Sequence, residues 1–113
     1  MRNTLVARGR FDELVSECVD EALTDLLGGK AKQTVFTRLE KQYSIAKEQI
    51  PRRLDDFSPA LERMFGKSGQ TIGKIFARTL YSRLGLEYVD KSEYEFRDYV
   101  REARLCTVAV LPE

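Results

Sequence analysis

The chain of 113 residues contains no histidine and no tryptophan. Without histidine there is no Ser–His–Asp triad, no Cys–His pair, no imidazole-held zinc or haem and no phosphohistidine relay. There are only two cysteines, Cys18 and Cys106, far apart and each set among apolar residues. That pattern reads as two small buried hydrophobes, because a disulfide framework needs more cysteines. Cys18 has Glu17 and Asp20 beside it, and so lacks the cationic neighbour that makes a thiol reactive. Cysteine usage of this kind predicts a reducing, cytoplasmic setting. No apolar run approaches the roughly 20 residues that a membrane-spanning helix needs, and no membrane is expected as a partner. The opening stretch Met1–Arg8 is too short and too charged for a signal peptide.

What is present is a mixture of 42% hydrophobic and 33% charged residues. That suits one globular domain. The dominant signal is helical periodicity. Phe11, Leu14, Val15, Cys18, Val19, Ala22, Leu23 and Leu26 recur at spacings of three and four, predicting one buried face of a helix that ends at Gly28-Gly29. Asp12 and Glu13 fall in its first turn on this reading. A second helix is expected over 30–43 with Val35, Phe36, Leu39 and Tyr43 inward. Residues 44–51 read as a loop anchored by Ile45 and Ile50.

Asp55 or Asp56 is the expected N-cap of a third helix, which Gly66 closes. The fourth runs over 68–84, with Ile72, Ile75, Phe76, Thr79, Leu80 and Leu84 inward and Gly85 as its stop. Ser92 and Glu95 have the spacing of a capping box, so a fifth helix is expected to run to Arg104. Residues 105–111 have strand-like composition and would pair with Thr4–Ala7 or another copy of the chain, or lie as an extended tail. The prediction is an all-α, five-helix single domain: an extension over 1–10, a helical body over 11–104 and an apolar tail over 105–113.

Catalytic chemistry is hard to place on this pattern. Gly66-Lys67-Ser68 resembles the end of a phosphate-binding loop, but Leu61 occupies the position of the required first glycine. Adjacent carboxylates such as Asp55 and Asp56 diverge on a helix, and Glu13, Glu17 and Glu21 read as a solvated face. No catalytic residue, metal ligand or cofactor site is expected.

The near-neutral net charge of +1 conceals strong patterning. Residues 1–29 carry three basic and six acidic side chains, and residues 30–53 carry seven basic and two acidic. Residues 62–83 are again basic, and the C-terminal stretch is acidic. On the fourth helix, Lys67, Gln70, Lys74 and Arg78 lie opposite Phe76. This face comes after a glycine turn and suits a nucleic-acid groove, with lysine for phosphates and Gln or Arg for base edges. Tyr88 and Tyr94 flank an acidic loop and, with Val108 and Val110 of the tail, form the candidate protein-interaction surface.

Leu27-Gly28, Leu39-Glu40, Ile50-Pro51, Phe57, Leu61-Glu62, Phe65-Gly66 and Leu80 occur in this order at close spacing. In these residues the stretch 20–86 resembles the small archaeal family called the Nitrosopumilus output domain, type five. Ser68-Gly69 and Gly73 depart from that pattern. The resemblance implies an all-helical fold, found free-standing or as a domain of archaeal signalling proteins, with no known catalytic residue. Glu40 and Glu62, acids within basic stretches, are expected to pair with nearby bases. The expectation is therefore a non-enzymatic regulatory or protein-interaction module whose partner is a protein, a second copy in a homodimer being one option. A nucleic-acid-binding regulator, using 67–78 and 30–53, is the alternative.

Overall fold

The computed structural model describes residues 8–107. It contains five α-helices in chain order: α1 (Arg8–Leu27), α2 (Gly29–Tyr43), α3 (Leu54–Phe65), α4 (Ser68–Leu84) and α5 (Phe96–Thr107). A 3-10 helix, Lys47–Arg52, lies between α2 and α3. The fold is all-α, as the periodicity predicts.

Helix α4 is central and packs against α1, α3 and α5. Phe57 of α3, Phe76 of α4 and Phe96 of α5 meet in one aromatic cluster, with ring centroids 5.6–6.2 Å apart. All three are essentially buried. Burial of one such ring is worth about 1.5–3 kcal/mol, so this triad is a principal clamp between the three helices.

The buried face of α4 is rotated from the predicted one. It runs through Gly69, Gly73, Phe76, Ala77, Leu80, Tyr81 and Leu84, while Ile72, Ile75 and Thr79 are only half-buried. Apolar spacing alone misplaces the face, because the closest approach occurs where side chains are smallest. A Cβ on Gly69 would stand 2.7 Å from the Leu61 carbonyl oxygen and 2.9 Å from the Glu62 Cα. A Cβ on Gly73 would stand 3.3 Å from the Cβ of Phe96. The two glycines thus set how closely α4 approaches α3 and α5.

Several helix ends differ from expectation. Helix α1 starts at Arg8, so Asp12 and Glu13 lie beyond its first turn, and Leu26 is 43% exposed rather than buried. The 44–51 loop contains the 3-10 helix, whose Ile50 and Pro51 are buried. Gln49 accepts the Ala46 backbone N–H at 2.8 Å. Ser44 ends α2 in the left-handed region (φ 58°), and Ile45 N–H bonds back to the Leu39 carbonyl at 3.0 Å. This return drives Ile45 into the core.

Arg53, not an aspartate, precedes α3, and no side chain caps that end. Asp55 and Asp56 lie two and three residues further on, in the first turn. Gly85 closes α4 as expected, and Leu86 N–H returns to the Tyr81 carbonyl. The Ser92–Glu95 capping box does not form. Asp98 accepts the Glu95 backbone N–H instead, at 2.9 Å, and α5 starts at Phe96.

Helix α5 continues past Arg104, because Ala103 and Thr107 extend the buried stripe of Phe96, Tyr99 and Val100. Leu105, Cys106 and Thr107 are therefore helical, which corrects the strand-like reading for these three residues. Leu105 is 85% exposed, and Cys106 is exposed rather than buried. Val108, Val110 and Thr4–Ala7 lie outside the described residues.

Candidate functional site

The four residues predicted on the outer face of α4 are placed on one side of that helix, but three of them are engaged within the chain. Gln70 donates through Nε2 to the Ser92 carbonyl at 3.2 Å. Lys74 Nζ lies 2.8 Å from the Asp90 carboxylate and is only 18% exposed. That hydrogen bond holds the ammonium above the ordinary lysine range. The Arg78 guanidinium lies over the Tyr88 ring, 5.5 Å from its centroid. Lys67 is exposed at the start of the helix. The segment between α4 and α5 folds back across this face and supplies the partners.

Tyr88 and Tyr94 belong to the same region, and both are half-buried. With Tyr81 and Tyr99 they form a cluster in which ring centroids lie 5.0–6.0 Å apart. The Tyr81 hydroxyl donates to the Tyr99 carbonyl at 3.0 Å, and the Tyr99 hydroxyl accepts the Lys91 N–H at 2.7 Å. Tyr94 donates to Glu102 and lies under Lys91 Nζ, 4.5 Å from the ring centroid. Burial pushes the Tyr81 phenol up to about 12 and the Tyr88 phenol upward as well. These tyrosines pack the α4–α5 junction and present little surface to a partner.

Most acidic residues of α1 are also used internally, Asp25 being exposed with no ion-pair partner among the described residues. Glu17 and Glu21 both meet Arg83 of α4, Glu17 at 3.7 Å. Asp20 binds Lys32 of α2 at 2.8 Å and Lys47 of the 3-10 helix at 2.6 Å. The Lys32 and then the Lys47 hydrogen bonds hold the Asp20 carboxyl below the usual carboxylate range. The exposed side chains of Glu40 and Glu62 have no ion-pair partner among the described residues, contrary to expectation. Cys18 is buried, and desolvation pushes its thiol up to about 11. Among the described residues no group of three or more Cys, Asp or Glu is placed to hold a metal. No described helix is long and apolar enough to cross a membrane.

Within the basic 30–53 segment, the surface left open is the outer face of α2. Lys30, Gln33, Thr34, Thr37, Arg38 and Lys41 recur at helical spacing and are all exposed, with one carboxylate, Glu40, exposed on the same helix. Lys30, Arg38 and Lys41 have no ion-pair partner among the described residues. At the corner leading into this helix, Leu26 and Leu27 are 43% and 41% exposed. The polar spacing is readable from the residues; that no other described segment covers it is not. Searches against known proteins found no matching family model, no matching curated protein and no matching solved structure.

Proposed function

We propose that this chain is a non-enzymatic regulatory module that docks an acidic protein partner on α2 and the α1–α2 corner. The observation carrying this reading is the coincidence of two half-exposed leucines with three cations that pair with no described residue, on one exposed helix and its lead-in. Apolar contact supplies area, while the cations select a partner of opposite charge and speed its approach. A role in archaeal signalling, implied by the family resemblance, forms part of the same proposal.

The test is a comparative capture from native cells. Wild type should retain an acidic protein that the triple variant Lys30→Glu, Arg38→Glu, Lys41→Glu loses and a Lys67→Glu control keeps. Equal capture by all three chains refutes the reading. Sedimentation of the chain alone shows whether the partner is a second copy.

Nucleic-acid binding is the second reading, favoured by the same three cations, which would suit a phosphate backbone. It draws on the 30–53 segment more than on 67–78, whose side chains are largely engaged. The two leucines favour the protein partner. Salt-dependent anisotropy with duplex and single-stranded probes decides between them.

A further inference from the structure

A second surface, outside α2, gathers guanidinium groups. Arg52 of the 3-10 helix, Arg53 at its end, and Arg101 and Arg104 of α5 line a groove of about 370 Å³, together with Asp55 and Asp56. Four cations thus face two anions. Asp12, on α1 beside the groove, reduces the surplus without removing it. A volume of this size is in the range that takes a small ligand, about 300–1,000 Å³.

The carboxylates act as braces for the arginines and do not exhaust their donors. Arg101 bonds Asp55 at 2.7 Å through one terminal nitrogen. Arg104 bonds Asp12 at 2.8 Å, also through one terminal nitrogen. Its guanidinium also lies 4.6 Å from the centroid of the Phe11 ring, which fixes its plane. Arg52 is the loosest: its Nε is 3.9 Å from Asp12, beyond hydrogen-bond reach, and its side chain is 79% exposed. Each guanidinium has five donors, so among the described residues most N–H groups of Arg52, Arg101 and Arg104 have no partner. Asp55 is held below the usual carboxylate range, first by Arg101, so it is a lasting anion that keeps that side chain in place.

Arginines held in position before a ligand arrives lose little freedom on binding it. The ligand that matches two braced guanidinium forks, a third mobile one and a residual positive charge is a tetrahedral oxyanion. We infer that the groove between the 3-10 helix, the start of α3 and the end of α5 binds a small phosphate-bearing molecule. Arg52 is its most adaptable contact, and Arg101 and Arg104 are its fixed ones. This site is separate from the α2 surface, and either can fail without the other.

The experiment is a heteronuclear NMR titration of the full chain with inorganic pyrophosphate at low salt, with a chloride control at equal ionic strength. Saturable shifts are expected at amides 52–55 and at the Arg52, Arg101 and Arg104 side chains, with α2 silent. The Arg52→Ala, Arg101→Ala double variant should bind about a hundredfold more weakly, roughly tenfold for each charge-assisted hydrogen bond removed. A Lys67→Ala chain should bind like wild type. A parallel titration with a nucleoside diphosphate, matched in phosphate number, separates an inorganic phosphate from a nucleotide, since the tighter of the two identifies the source. The inference is overturned by non-saturable shifts, by shifts centred on Lys30–Lys41, or by a folded double variant that binds undiminished. Circular dichroism checks its fold, and the native-chain map decides without it.

Discussion

On α4, Lys74 is held by Asp90, Gln70 by the Ser92 carbonyl, and Arg78 lies on Tyr88. On α2, Lys30, Arg38 and Lys41 carry the same chemistry and meet no anion among the described residues. The difference comes from the segment that leaves each helix. After Gly85 the chain turns back across α4 before starting α5, bringing Asp90 and Tyr88 with it. After Ser44 it dives inward through Ile45 and does not cross the outer side of α2. Identical residue types therefore mark cohesion in one place and availability in the other.

The sharpest way to break this contrast is on the inner side of α4. Gly69→Ala drives a Cβ against the Leu61 and Glu62 backbone. It should lower stability by about 1–3 kcal/mol in urea unfolding. A neutral result would mean that α4 can move outward, and that its face is not fixed by packing.

The next effect concerns the tie between α1 and α2. Asp20 has a depressed folded-state pKa, so its contribution is present above the unfolded carboxylate value and fades as pH falls through the lower folded one. Asp20→Asn should therefore be less stable than wild type at about pH 7, with the gap closing toward about pH 2. Paired denaturant titrations at the two pH values read this directly. A gap that persists in acid would assign the effect to packing instead of charge.

Lysine acylation measured by mass spectrometry gives a smaller, direct comparison. Lys30 and Lys41 should react faster than Lys74, whose ammonium is shielded and kept protonated by Asp90. Equal rates would show that the α4 face opens in solution. The smallest effect is expected of Gly29→Ala at the start of α2, where a Cβ meets nothing within 4 Å. Removing backbone freedom there should raise stability by at most about 1 kcal/mol. Opposite signs for Gly69→Ala and Gly29→Ala would set the packed helix against the open one.

Much of the fold is legible in the amino-acid order. The stripe Phe11, Val15, Cys18, Val19, Ala22 and Leu23 is buried as its spacing predicts, and Gly28 and Gly85 stand where helices stop. The features that escape it depend on partners distant in the chain or on competition at a helix end. Nothing local reveals that Asp98 outcompetes Ser92 at the start of α5, or that Thr107 has a buried site to reach. The partners of the α4 face are hidden for the same reason. Lys74 carries no mark of Asp90, and the arginine groove joins residues of the 51–56 segment to α5. A charged helical face is visible in the residues; whether another part of the chain already occupies it is not.

The tyrosine cluster has an optical consequence. With no tryptophan in the chain, near-ultraviolet absorption and emission come chiefly from tyrosine, and four of its five tyrosines lie in one cluster at the α4–α5 junction. Tyr81 and Tyr88 resist ionisation while that junction is closed. A phenolate absorbance that rises abruptly in alkali, instead of along a simple titration curve, would signal the parting of these two helices without any added label.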